Sequence, residues 1–275
     1  MQTVELGEKC REMHGVLDSR LYYAHYQSKS DPHVQSQPVL YLHPLLTEFY
    51  ASYTWSIDLC RAMAQLGMSV VRVEPQGHGN TGGEASANLN ELCRDYQVGL
   101  NYLLRECGHT DCSCLTIAGC RLGANMGLWL AKESPLVKTV WMIDPVNSIG
   151  KYLKTLNRKR KIVGMIRQGR AWQKTVDLGK EIETEPEIDM LGHRVKSQLL
   201  QDLEKRGGLA DNADEVPAAV VYVHTGRDGG RWRYGRAGDP WSVSCPPYWN
   251  RPVARIDSRQ NAAISQIASE INASF

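Results

Sequence analysis

One short segment constrains this chain more than any other. Gly119-Cys120-Arg121-Leu122-Gly123-Ala124 follows the apolar run Leu115 to Ala118 and precedes a helical stretch from about Leu122 to Lys132. A turn that carries a strand straight into a helix leaves little room beside its central residue. Small residues on either side therefore mark a strained elbow that holds the central side chain out at the end of a sheet. The spacing is that of a G-x-S-x-G nucleophile elbow. Here the central residue is Arg121, not Ser, Cys or Asp. A guanidinium stays protonated and has no lone pair with which to attack a carbonyl. It also faces the positive end of the following helix, which is unfavourable. Arg121 therefore needs an anion, either a protein carboxylate or a bound ligand.

The flanking pattern alternates strand and helix. Gly15 to Leu17 and Leu21 to Tyr26 read as a hairpin about Asp18 and Ser19. Val39 to Leu42 reads as a strand, and Ser56 to Leu66 as a helix with Ile57, Cys60 and Met63 or Ala64 on its inner face. Ser69 to Val73 is the next strand. Leu89, Leu92, Tyr96, Leu100 and Leu103 predict a helix ending near Gly108. Thr139 to Ile143 and Ala218 to Val223 are further strands, and Ile264, Ile267 and Ile271 mark a closing amphipathic helix. This alternation predicts an α/β fold: a mostly parallel central sheet flanked by helices. With 275 residues, the whole of 1–275 reads as one domain able to build its own core.

The segment 150–214 interrupts the alternation and reads as a helical lid insertion. Lys151 to Lys174 holds nine Lys or Arg and no acid, whereas Asp177 to Asp189 holds six acids and one base. Leu153, Leu156 and Val163 permit one amphipathic helix; Val195, Leu199, Leu200 and Leu203 make a second. The charge runs are either a solvated surface pairing with itself or a cationic rim that attracts an anionic ligand or the surface of a membrane.

Overall composition is that of an ordinary globular chain, with 42% apolar and 23% charged residues. The net charge of +2 points to no global electrostatic partner. The apolar runs are too short to suggest a transmembrane helix, and Met1 to Glu5 has neither the basic start nor the apolar stretch of a secretory signal. Eight cysteines at irregular spacing, with no such signal, predict reduced thiols in a cytoplasmic protein.

The elbow invites comparison with the α/β-hydrolase fold. The loop after Val39 to Leu42, which would supply an oxyanion-hole amide, reads His43-Pro44-Leu45-Leu46-Thr47-Glu48. Glu74-Pro75-Gln76-Gly77-His78-Gly79-Asn80-Thr81 resembles the D-x-R-G-x-G-x-S turn of that fold. Asp228, after the Ala218 to Val223 strand, lies where a triad acid is often found. The triad base comes last in such chains, yet no histidine follows His224. With the nucleophile and the base both missing, the Ser–His mechanism is excluded.

From about Pro38 onward the sequence resembles the exosortase A system-associated hydrolases of the second type, α/β-hydrolase-like proteins encoded beside bacterial exopolysaccharide and protein-sorting genes. That family's elbow reads G-L-R-L-G-A, so Arg121 matches its arginine and Cys120 replaces its leucine. Pro145-Val146-Asn147-Ser148 is similar to its P-V-x-x-G stretch, Gly192-His193-Arg194-Val195 to its G-Y-x-L, and Pro246-Pro247-Tyr248-Trp249 to its P-P-F-W. Its early P-P-F-A-E-E matches at Glu48 but meets Thr47 at the first Glu. The resemblance implies a hydrolase-like architecture more than an activity.

Other candidate chemistry is weaker. Cys120 adjoins the elbow, but alternation across the turn points it to the core. Cys107, His109, Cys112 and Cys114 are zinc-ligand types at a spacing that matches no standard site, so no metal or other cofactor is expected. His43 and His78 lie on loops at the C-terminal edge of the sheet and are general-base candidates or turn-stabilising residues. Gly226 to Gly238 interleaves Arg with Trp232 and Tyr234, yet nothing else suggests a nucleic-acid partner. Three readings remain. In the first, an anionic or acylated ligand, small or polysaccharide-related, binds at Arg121, Glu48 and Leu122. In the second, Glu48 locks Arg121 structurally in a non-catalytic binding or scaffold protein. In the third, Cys120 or an unrecognised serine serves an esterase or acyltransferase.

Overall fold

The computed structural model describes residues 2–6, 10–29, 37–107, 115–168, 177–209, 219–225, 241–243 and 258–273. Three antiparallel strands open the chain: β1 (Gln2–Leu6), β2 (Cys10–Leu17) and β3 (Leu21–Ser28). The β2–β3 hairpin turns at Asp18 and Ser19, both left-handed at φ 49° and 58°. That pair of conformations matches the twist of the strands it joins.

Strand and helix then alternate through β4 (Pro38–Leu42), α1 (Thr47–Ala51), α2 (Tyr53–Gln65), β5 (Ser69–Val73), α3 (Leu89–Glu106), β6 (Leu115–Cys120), α4 (Leu122–Glu133) and β7 (Val137–Ile143). The insertion follows: α5 (Ile149–Gln168), α6 (Leu178–Thr184), β8 (Glu187–Asp189), β9 (Arg194–Lys196) and α7 (Ser197–Arg206). The fold closes with β10 (Ala219–Thr225), β11 (Trp241–Val243) and α8 (Ser258–Ala273).

The main sheet has the order β1-β2-β3-β5-β4-β6-β7-β10-β11. From β5 to β11 every neighbouring pair is parallel, and β3 joins β5 antiparallel. The chain steps from β4 outward to β5 and then back across β4 to β6. The carboxyl ends of β4 and β6 therefore flank the point where strand order reverses, which is where open α/β sheets bind ligands.

Both faces of the sheet are covered, which is why the strands read as continuous apolar runs. Val39 and Tyr41 of β4 face Trp55, Leu59 and Met63 of α2 and Ile264, Ile267 and Ile271 of α8. Leu40 and Leu42 face Tyr96, Leu100 and Leu103 of α3 and Met126 and Trp129 of α4. Each such buried side chain contributes about 1.5–3 kcal/mol. The inner face of α2 is led by Trp55 and Leu59 rather than by Ile57, which is only half-buried. The helix accordingly starts at Tyr53, earlier than the periodicity about Ile57 suggests.

The insertion packs on the α3–α4 side through Tyr152, Leu153 and Leu156 of α5 and Leu199, Leu200 and Leu203 of α7. Val195 is not helical, as its spacing suggested, but lies in β9, paired with β8. The basic and acidic runs meet where Arg160 pairs with Glu181.

His25 of β3 ties the sheet to α3. It is fully buried, with Nε2 2.7 Å from Ser69 Oγ and Nδ1 3.2 Å from the Tyr102 hydroxyl. Burial lowers its pKa from 6.5 to about 4. Between these values the unfolded chain binds a proton that the folded one refuses, so stability falls as pH drops through this window and is fully present above it. We expect denaturant unfolding to show a loss of about 3 kcal/mol attributable to His25 between pH 6.5 and pH 4. The His25→Asn variant, already weaker at pH 7, should show a correspondingly flatter pH dependence.

Candidate functional site

The elbow lies between β6 and α4, and Leu42 pairs with Gly119 across the β4–β6 ladder. Arg121 has φ 54° and ψ −124°, the strained conformation that the elbow pattern calls for. Its amide donates to Ile143 O at 2.9 Å, and its carbonyl accepts from Ala124 N at 3.0 Å. The two glycines are steric requirements. A Cβ on Gly119 would come 2.6 Å from Gly123 O, and one on Gly123 would come 2.1 Å from His43 O. The strand, the helix and the loop after β4 thus converge on backbone with no space for a methyl group.

The side chain of Arg121 is held on three sides. Nε donates to Glu48 Oε2 at 3.2 Å and Nη2 to Glu48 Oε1 at 3.3 Å, a bidentate pair. Nη1 donates to the carbonyl of Asp144, at the end of β7, at 2.9 Å. Glu48 reaches this position because the chain turns from β4 into α1 at Leu46, itself left-handed at φ 59°. The Tyr152 ring of α5 lies 5.9 Å from the guanidinium carbon. Its hydroxyl sits beside the Glu48 carboxylate but outside hydrogen-bond geometry. Burial, reinforced by the Glu48 charge, holds that phenol well above its usual pKa.

The two partners differ in exposure. The Glu48 side chain is 3% exposed, whereas Arg121 retains 17%. That residual face of Arg121 opens into a cleft of about 390 Å³, lined also by Glu48, Asn147, Lys151, Tyr152 and Lys159. Asn147 Oδ1 is buried there and meets no hydrogen-bond partner among the described residues. Among the described residues the lining carries three cations, Arg121, Lys151 and Lys159, and one carboxylate, that of Glu48. It can therefore attract and hydrogen-bond an anion, but the residue at the elbow cannot act as a nucleophile.

The remaining candidates sit elsewhere. Cys120 is fully buried in the α2–α8 layer and accepts from the Tyr41 hydroxyl at 3.2 Å. Leu122 is fully buried in the opposite layer and does not line the cleft. His43 lies at the carboxyl end of β4, but its ring turns into the core, stacked on Tyr53 at 5.8 Å. Nε2 accepts from Arg72 Nη1 at 2.9 Å, and burial together with the Arg72 charge lowers its pKa well below 6.5.

His78 is buried, with Nδ1 donating to Gln76 O at 3.2 Å; burial lowers its pKa to about 4. It borders a second cleft with His193 and Tyr50, not the one at Arg121. Cys107 follows the end of α3, while His109, Cys112 and Cys114 lie outside the described residues. Asp228, the Arg–aromatic stretch 226–238 and residues 246–249 also lie outside them.

Two features escaped the sequence reading. One is the aromatic and amide wall of Tyr152 and Asn147. The other is a fully buried pair, Arg72 Nη1 to Glu74 Oε1 at 2.7 Å, which receives the Tyr53 hydroxyl on the same carboxylate oxygen at 2.7 Å. Glu74 occupies the acidic position of the turn that resembled D-x-R-G-x-G-x-S, so its motif was visible even though its partner was not.

No family model matches the chain, and no curated protein matches it. Solved structures do. The esterase Est1E from Butyrivibrio proteoclasticus, solved with ferulic acid bound, aligns with TM-score 0.52 and 16% identity over 78% of each chain. A hypothetical protein, PA2218 of Pseudomonas aeruginosa, aligns with TM-score 0.51 and 13% identity over 82% of this chain and 84% of that one. A candidate α/β hydrolase of unknown function from Agrobacterium tumefaciens aligns at TM-score 0.41 and 20% identity, over 49% of this chain and only 60% of that one. At these identities the likeness is one of fold. The chain has the α/β-hydrolase fold, with an extra helical insertion between β7 and β10.

The unequal burial of the pair generates a prediction. Arg121→Met leaves the Glu48 carboxylate buried without a counter-ion and should cost about 3–5 kcal/mol. Glu48→Gln leaves a guanidinium that can turn towards cleft water, and should cost about 1–2 kcal/mol. Denaturant unfolding of both variants at pH 7 checks the order; equal effects would mean that the two groups are equally buried.

Proposed function

We propose that this protein binds an anionic or acylated ligand in the Arg121 cleft and does not perform Ser–His acyl-transfer chemistry. One observation carries the reading: the side chain at the elbow is a cation that is anchored by Glu48 yet still presents a face to a cleft rimmed by Lys151 and Lys159. Cations converging in a partly desolvated cleft strengthen one another's attraction for an anion. Tyr152 and Asn147 add polar groups whose orientation favours a ligand with its own donor or acceptor beside the charge. The apolar wall of Val146 and Leu156 suits an acyl portion.

On this reading residues 150–214 form the lid of a single domain spanning 1–275, and the basic run of the lid meets anions. The resemblance at the elbow and at Pro145 to Ser148 supports a place beside bacterial exopolysaccharide and exosortase systems. The free thiols of Cys10, Cys60 and Cys93 suit a reducing, cytoplasmic setting. The scaffold reading, in which Glu48 only locks Arg121, is favoured by the bidentate geometry of the pair. It differs in expecting no ligand response.

Two assays test the proposal. Short-chain nitrophenyl esters should be hydrolysed no faster than background, and a serine-directed fluorophosphonate should leave the protein unlabelled. Fatty acids and acyl phosphates should raise the thermal midpoint of the wild type, and Lys151→Ala with Lys159→Ala should lose most of that shift. Ester turnover that disappears in Cys120→Ala would replace this reading with a thiol esterase, and an absence of any anion response would favour the scaffold.

A further inference from the structure

The outward face of α5 is exposed in the described structure. Lys151, Lys154, Arg158, Ile162 and Ile166 follow one another at three- and four-residue spacing, so they form a single stripe along the helix. All five are exposed, Ile162 at 43% and Ile166 at 76%. Tyr152, Leu153 and Leu156, on the other side, are buried in the core. The stripe is graded, with three cations towards the N-terminus and two isoleucines towards the C-terminus. Between Ile149 and Gln168 there are seven Lys or Arg and no acid.

Arg160 turns inward to Glu181, but Lys151, Lys154, Arg158 and Lys161 meet no carboxylate among the described residues. A solvated helix face needs neither the isoleucines nor a single sign of charge. A helix that lies on an anionic bilayer uses both, with cations at the headgroups and branched apolar side chains below them.

We infer that the stripe Lys151–Lys154–Arg158–Ile162–Ile166 docks the protein on the surface of an anionic lipid bilayer. The position of the cleft strengthens this. Lys151 belongs both to the stripe and to the cleft lining, and Thr155 and Lys159 of the same helix also line the cleft. Docking on α5 therefore brings the mouth of the cleft to the headgroup layer, where an acylated anion is at hand. This last step rests on the cleft being an anion site; the docking itself does not. The helix lies along the surface rather than across the membrane, since none in the described residues is long and apolar enough to span one.

The experiment is sedimentation of the full chain with vesicles. One set is phosphatidylcholine alone, and the other contains about 30% phosphatidylglycerol. The protein should pellet with the second set and not the first, and raised salt should weaken the binding. Ile162→Asp with Ile166→Asp, and separately Lys154→Glu with Arg158→Glu, should each weaken vesicle binding about tenfold or more. Both double variants should unfold at the wild-type midpoint and keep its response to soluble acyl anions, because they lie on the exposed face. Equal pelleting with both vesicle sets, or variants that bind like the wild type, would overturn the inference. So would binding to heparin as strong as to vesicles and unaffected by the isoleucine variant, which would mark a polyanion surface. Vesicle binding without any response to soluble anions would sink the cleft reading and leave the docking surface standing.

Discussion

A guanidinium at a strained strand-to-helix turn is an expensive thing to place, and the geometry of the site follows from how it is satisfied. Arg121 sits at the amino end of α4, where the helix dipole opposes a positive charge. Glu48 answers with two hydrogen bonds, and the Asp144 carbonyl with a third. Those partners come from α1, which follows β4, and from the end of β7; β4 and β7 are the strands on either side of β6. The pairing thus joins three neighbouring strand ends at the point where the order of the sheet reverses. Leu46 and Asp144 both adopt positive φ beside it, so backbone strain is concentrated where the anion has to be delivered.

Two arginine–carboxylate pairs, in different surroundings, do different work. Arg72 and Glu74 are fully buried, and His43, Tyr26, Tyr53 and the Asn80 amide hydrogen-bond to them. That network knits β3, β4 and β5 to α2 and reaches the surface through Asn80, on the turn after β5. The Arg121–Glu48 pair has the same chemistry but keeps one partner at a cleft wall. Removing water from a charge is costly, so a partly exposed cation retains affinity for a second anion that a buried one has lost. The two arginines therefore differ in exposure rather than in residue type.

The insertion serves both ends of the site. Its inner side chains continue the core through Tyr152, Leu153 and Leu156, and its first turns close one wall of the cleft. The meeting of Arg160 with Glu181 explains part of the charge patterning as self-pairing. The cations Lys151, Lys154 and Arg158 on the outer face of α5 meet no carboxylate among the described residues.

How much was legible in advance depends on whether the signal is local. Periodicity placed β2 to β7, β10 and the longer helices, because burial on both faces of a sheet and one face of a helix is written directly into residue order, but not β1, α1, α6 or the short strands β8, β9 and β11. The elbow was legible for the same reason: glycine at 119 and 123 is a local steric demand, and an arginine between them is a local chemical fact. The boundaries of α2 and the strand at Val195 were not, since both depend on which neighbours pack against them. Cys120 was legible too, since alternation across the turn sends it to the core; His43, His78 and Leu122 lie near the right strand ends in sequence, yet whether each side chain turns to the core or to the cleft is set by register and by packing against distant helices. By itself the sequence determined that a cation stands where a nucleophile would, and that it must find an anion. It also nominated Glu48, 73 residues away, as one source of that anion; only the tertiary structure decided that this carboxylate is buried more deeply than the cation it holds, because exposure is a property of the assembled surroundings and not of the residue.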